Sequence, residues 1–228
     1  MRNDNVVEAR LILIEVLKNL LTTAKAPVQA TATSNLKQAC NDLAVGAITA
    51  LQTQNVAGPL LNCYNLAIDA AASFDGMWWL QGQLQLLTPL YPLSATVQWL
   101  GVRYALSAMC KVLVKTTFSS RQDAEDALAR VTGAFEPAEE YAADTHDTGI
   151  YQALLTLHGA ATRDLVERSL LLPRVINYNV GGVLPSLTVA QRLYPDAMLN
   201  TDRSDELRLE NKIIHPAFMR PTGICLSN

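Results

Sequence analysis

The chain has 228 residues, 50% hydrophobic and 17% charged, with a formal net charge of -3, and a chain of this length buries roughly 70% of its extended surface on folding. These figures exclude intrinsic disorder and weigh against a dedicated nucleic-acid binder, which carries a basic excess. With 6% aromatic residues and an apolar half made largely of Ala, Leu, Val and Ile, the composition favours packed helices over a β-sandwich.

From Val6 to about Ala24 apolar residues fall on several faces, the pattern of a helix covered on more than one side. Glu15 and Lys18 interrupt the stretch and no small-residue cleavage site follows, so it reads as neither a bilayer span nor a signal peptide. Pro27 ends it. A second helix is expected over residues 34–54, where Leu36, Ala39, Cys40, Leu43, Ala47 and Leu51 recur at spacings of three and four. Gly58-Pro59 breaks the chain again, and a third helix runs from about Leu60 to Ser73, closed by the turn chemistry of Phe74-Asp75-Gly76. A shorter one over residues 77–87 carries Trp78 and Trp79 and stops at Thr88-Pro89-Leu90-Tyr91-Pro92.

Ser94 is placed to cap a fifth helix that continues, dense in apolar residues, to about Lys115. Ser119 and Gln122 read as a capping box for a sixth, reaching about Val131. Pro137 permits a further short piece, Asp147 caps a long helix through Leu170, and Pro173 closes the helical region. Beyond it, residues 174–180 are rich in β-formers and end at Gly181-Gly182, a strand and a turn. A short helix from Pro185-Ser186-Leu187 to Tyr194, a second over residues 205–211 and a closing strand over 223–227 complete a strand-helix-helix-strand order. The expected fold is mainly α: a multi-helix bundle over residues 1–172, then a small βααβ module over 173–228.

Little in the sequence points to chemistry. Cys40, Cys63, Cys110 and Cys225 are scattered without a CxxC or a nearby His, so they are read as buried reduced thiols, as in a reducing cytoplasm. His146, His158 and His215 lie far apart and fit no ligand spacing, and neither a phosphate loop nor a nucleophile elbow occurs. The carboxylates Asp123, Glu125 and Asp126, and Glu136, Glu139 and Glu140, sit near helix starts and read as solvated faces rather than as an acid/base pair. Trp78-Trp79 favours a core or protein-interface role over a stacking platform for a base or a sugar. No catalytic residue, cofactor site or metal site is expected. Leu11, Ile14 and Leu17, with Trp78 and Trp79, are the helical interface candidates.

The most specific signal is Leu184-Pro185-Ser186-Leu187-Thr188-Val189-Ala190-Gln191-Arg192-Leu193-Tyr194, followed by Asp205-Glu206-Leu207 and Asn211-Lys212-Ile213-Ile214-His215-Pro216. It resembles a LysM-type βααβ fold. In that reading Leu187, Ala190 and Tyr194 face inward from the first helix and Leu207 and Leu209 from the second. Asn211 ends the second helix, because Asn tolerates left-handed backbone. Ile213, His215 and Pro216 form the turn after it, and Phe218 joins Tyr194 in the small core. Upstream, Phe118-Ser119-Ser120-Arg121-Gln122-Asp123-Ala124, Tyr151-Gln152-Ala153-Leu154-Leu155 and the run from Arg163-Asp164-Leu165 to Leu172-Pro173 are similar to the C-terminal half of the Mu-like phage DNA circularisation protein family. The resemblance covers roughly residues 100–228. Three features depart from the family: Ala217 stands where it usually has glycine, the loop 195–204 is longer, and its N-terminal domain has no counterpart in this sequence.

Despite the family's name, the resemblance implies a structural part of a contractile phage tail at or near the baseplate, assembled in the bacterial host cytoplasm. Its implied partners are tube, hub and wedge proteins, in a ring-shaped homo-oligomer, with no membrane and no specific nucleic acid. A peptidoglycan-binding LysM-type protein is the alternative. DNA circularisation fits the net charge of -3 least well.

Overall fold

The computed structural model describes residues 3–27, 30–195 and 200–227. Within them lie α1 (Asn3–Thr23), α2 (Thr31–Val45), α3 (Ala47–Gln52), α4 (Ala57–Asp69), α5 (Phe74–Gln85), α6 (Pro92–Leu113), α7 (Arg121–Asp144), α8 (Thr148–Leu170), β1 (Val175–Asn179), α9 (Ser186–Leu193), α10 (Asn200–Glu210) and β2 (Thr222–Leu226). The chain is mainly α, with one two-stranded antiparallel sheet in the expected βααβ module. It divides into two compact units, Met1–Thr117 with Ala129–Arg163, and Phe118–Leu128 with Asp164–Asn228. The second unit is thus larger than the 173–228 expected from sequence. The 118–128 segment is tied in by two hydrogen bonds: Arg121 N donates to Pro173 O at 2.9 Å and Val175 N to the side-chain Oε1 of Gln122 at 2.9 Å.

In the first unit α1 packs against each of α2 to α6. Val6, Ala9, Leu13, Val16, Leu17 and Leu20 are all buried, and spacings of three and four carry them around more than one face. Only a stripe through Val7, Leu11 and Lys18 is left to solvent. Leu17 therefore belongs to the core and not to an outer surface, Ile14 is half-buried, and Leu11 is 61% exposed. At Gly101 of α6 a Cβ would stand 3.2 Å from Leu84 Cδ1 and 3.3 Å from Val16 Cγ2, so the absent side chain lets α6 approach α1 and α5. The buried Tyr64 hydroxyl donates to Gly101 O at 2.9 Å, and burial raises its pKa.

Several helix ends differ from expectation, each for a local reason. The 34–54 helix is two, because Gly46 leaves helical geometry at φ -80, ψ 3 and caps α2. Phe74-Asp75-Gly76 opens α5 instead of closing α4: Ser73 is the N-cap and its Oγ accepts from Gly76 N. Ser94 lies buried inside α6, whose N-cap is Tyr91 with Pro92 in the first turn, where a missing N–H costs nothing. The capping box of α7 is Ser120 with Asp123, one residue on from the expected pair: Ser120 N donates to Asp123 Oδ2 and Asp123 N to Ser120 Oγ. α7 continues through Pro137 to Asp144 as one helix. Asp147 caps α8 through its Oδ1, which accepts from Ile150 N at 3.2 Å.

The start of α6 is also held from a distance. Glu8 of α1 accepts from Leu90 N at 2.9 Å and Tyr91 N at 3.0 Å, placing a carboxylate at the positive end of the helix. The Ser94 hydroxyl beside it and these amides hold the Glu8 carboxyl below its usual pKa. A folded-state pKa below the unfolded one gives stability that is present above the ordinary carboxylate range and lost as pH falls through the folded value. Glu8→Gln should lower the melting temperature at pH 7, and the gap from the wild type should close in an acid titration below pH about 4.5. A gap independent of pH would remove the charge from the explanation.

Four described helices stop the same way. Gln54, Ala71, His146 and Lys212 have φ of 55, 58, 57 and 52. The residue after each closes a bond to the fifth residue back: Asn55 N to Ala50 O, Ala72 N to Ala67 O, Asp147 N to Ala142 O and Ile213 N to Arg208 O. The left-handed residue after α10 is thus Lys212 and not Asn211. None is glycine, and left-handed backbone costs an L-residue about 1 kcal/mol. Lys212→Gly and Ala71→Gly should each raise stability by up to about 1 kcal/mol in chemical denaturation. Loss of stability in both would mean that the strain is already relieved.

Candidate functional site

In the second unit, the module's core is Tyr178, Val189, Ala190, Tyr194, Leu207, Met219 and Cys225, with Leu184, Leu193 and Ile213 packed against it. Ala190, Tyr194 and Leu207 face inward as expected. Leu187, Leu209 and Phe218 do not: they are 42%, 78% and 65% exposed. On the eight-residue α9, Val189 and the buried Ser186 take the inner face. On α10 the inner face is Ser204 and Leu207, and Ser204 Oγ meets Ser186 Oγ at 2.7 Å, joining the two helices through a buried polar pair. Met219, bridged to Leu184 through main-chain bonds, fills the place expected for Phe218. Phe218 instead stands in solvent with its ring 5.1 Å from that of His215, while Pro216 is exposed in the same turn.

Asn211 has a larger role than ending a helix. Its Nδ2 donates to Leu207 O at 2.8 Å and to Ile224 O at 2.7 Å, and its Oδ1 accepts from Ile224 N at 2.9 Å. The carboxamide so occupies the outer edge of β2 as a strand residue would. Gly223, opposite Tyr178 in the ladder, makes room for it. A Cβ there would run into Asn211 Oδ1 and lie 2.7 Å from Tyr178 Oη. Tyr194 completes the arrangement: its hydroxyl donates to Leu226 O at 2.6 Å, the Arg203 guanidinium lies 4.8 Å over its ring, and burial with the Cys225 thiol pushes its pKa up to about 12.

Cavities open on this unit. One, about 340 Å³, lies between the start of α9, α10 and the turn after it, lined by residues that include Pro185, Ser186, Asp205, Pro216 and Ala217. Another, about 470 Å³, is lined by Asn177, Asn179, Asn211, Arg220 and Thr222 among others. In the first unit a groove of about 520 Å³ runs along α2, α3 and α4, with Asp42, Asn55 and Asn62 on its walls.

Among the described residues the remaining candidates serve helix ends, ion pairs and packing. Asp123 accepts from Ser119 Oγ and Ser120 Oγ, both at 2.8 Å, and although burial opposes it these donors hold its carboxyl below the usual range, as suits a helix cap. Glu139 pairs with His158 at 2.9 Å, and the His158 ring stacks on Phe135. His146 sits at the left-handed end of α7. All four cysteines are buried and unbridged. Burial pushes Cys110 up to about 12, and the neighbouring Cys63 thiol together with burial raises Cys40, so Cys40 and Cys110 stay protonated. Trp78 and Trp79 are partly exposed, and Arg130, ion-paired with Asp75 at 2.8 Å, lies 5.3 Å over the Trp78 ring. Among the described residues no group of acidic, His or Cys side chains is arranged to hold a metal, and no helix is long and apolar enough to cross a membrane.

Compared with protein-family models and with curated proteins, the chain matches none. Gly223, Ser186, Ser204 and Met219 are the module residues that sequence reasoning passed over. Gly223 carried a signal, a glycine inside a β-forming run, which marks close approach of another group.

Proposed function

We propose that the chain is a non-enzymatic structural protein of a contractile phage tail, at or near the baseplate, where it bridges the tube or hub to neighbouring baseplate proteins. The observation that carries this reading is the use made of the module's polar side chains. Asn211, Tyr194, Ser186 and Ser204 bond to the module's own backbone or to each other, which suits a scaffold whose chemistry is packing. The resemblance of residues 100–228 to the Mu-like circularisation family supplies the tail context. Immunogold labelling of intact particles should place the chain at the distal end of the tail. Label on the head, or protein found only free in lysates, would overturn the reading.

One observation favours the alternative, a peptidoglycan-binding module. Phe218 is exposed, and the turn that carries it supplies Pro216 and Ala217 to the 340 Å³ cavity, so an aromatic face stands beside an open groove as sugar recognition requires. A pull-down on purified peptidoglycan separates the two. Under the tail reading the wild-type chain is not retained. Retention abolished by Phe218→Ala, with stability changed by no more than about 0.5 kcal/mol as expected for an exposed side chain, would favour wall binding.

A further inference from the structure

The β1–β2 sheet has two outer edges, and the fold closes one of them. Ser227 N donates to Arg174 O at 2.7 Å and Val180 N to Pro221 O at 2.8 Å, so these pairs are hydrogen-bonded across the ladder. Antiparallel alternation then turns the main-chain groups of residues 175, 177 and 179 on β1, and of 222, 224 and 226 on β2, away from each other. On β2 the Asn211 carboxamide takes both groups of Ile224, and Tyr194 Oη bonds Leu226 O. On β1 only Val175 N is taken, by Gln122 Oε1. The N–H and C=O of Asn177 and Asn179 point outward with no partner among the described residues. The strand carries no Lys or Pro of the kind that blunts an edge.

Charge and side-chain direction restrict what fits there. Asn177 and Asn179 line the 470 Å³ cavity together with Thr222 and Arg220. Arg220 is the one charged residue in that lining, and it forms none of the ion pairs among the described residues. On the other face of the strand, Ile176 is 49% exposed. A strand added along β1 would send the side chains opposite Asn177 and Asn179 to the cavity face and the alternate ones to the face of Ile176. We propose that the free edge of β1 docks an extended segment of another protein in which acidic residues alternate with apolar ones, its backbone pairing with Asn177 and Asn179 and its acidic side chains meeting Arg220. This goes beyond the tail reading and is measured on the chain alone.

The test titrates the isotope-labelled full chain with the peptide acetyl-Thr-Glu-Val-Glu-Val-Glu-Thr-amide at millimolar concentration, followed by NMR. A peptide with Lys for each Glu and sodium acetate serve as controls. The Asn177 and Asn179 amide signals should move with the Glu peptide and stay in place with both controls. Arg220→Gln should weaken binding about threefold, as for an exposed ion pair. Asn177→Pro with Asn179→Pro should abolish it, since these N–H groups are not used in the β1–β2 ladder and proline is tolerated at such edge positions. No movement of the two amides, equal binding of the Lys peptide, or the same movement with acetate would overturn the proposal. So would self-association of the free chain through this edge, lost in the proline variant, because β1 of a second copy brings no acid to Arg220.

Discussion

Gly223→Ala is expected to cost roughly 3 kcal/mol or more and to unfold the module while leaving the first unit folded. The added methyl would displace Asn211 Oδ1 and the Tyr178 ring together. Asn211 cannot swing aside without giving up its bonds to Leu207 O and to both main-chain groups of Ile224, and Tyr178 is buried in the module core. Hydrogen exchange read by mass spectrometry should show protection lost over 174–227 and kept in α1. A double-mutant cycle sharpens the point: with Asn211 already replaced by Ala, the further cost of Gly223→Ala should fall, because one of the two colliding groups is gone. Equal costs in both backgrounds would place the strain on Tyr178 alone.

Tyr194→Ala should cost about 3–5 kcal/mol, the usual range for removing a large buried ring. Tyr194 is 3% exposed and joins α9 to β2 through its hydroxyl, so the truncation leaves a void and an unpaired Leu226 carbonyl together. Tyr194→Phe keeps the ring and should cost about 1 kcal/mol. Chemical denaturation of the two variants separates packing from the hydrogen bond. A Phe variant as unstable as the Ala variant would mean that the bond to Leu226, and not the ring, holds the module shut.

What could be read from the sequence was local. β1, α9, β2 and the Asp147 cap follow from β-formers, a Pro-Ser start and an acidic residue before a helix, all within a few positions of the element they define. Facing within the module was harder. α9 is too short for periodicity to choose between Leu187 and Val189, and a polar pair, Ser186 with Ser204, claims inner positions that hydrophobicity assigns to others. Bonds made across long stretches of chain left no mark: Glu8 meets the start of α6 more than eighty residues away. Nothing in the pattern of either segment announces the other. Asn211 ends α10 where the sequence suggests but for another reason, since the strand edge it covers exists only once β1 and β2 have paired.

The interleaving of the two units bears on how such a gene can change by recombination. The second unit is made of Phe118–Leu128 and Asp164–Asn228, with a segment of the first between them. One crossover therefore cannot exchange the second unit by itself: upstream of 118 it carries 129–163 of the first unit along, and a break after 172 separates Gln122 from the Val175 amide that it holds. Relatives that exchange their C-terminal ends by a crossover between 129 and 172 should do so only where both parents keep compatible residues at 118–128, and the shuffled progeny that survive should show those two distant stretches inherited as a linked pair.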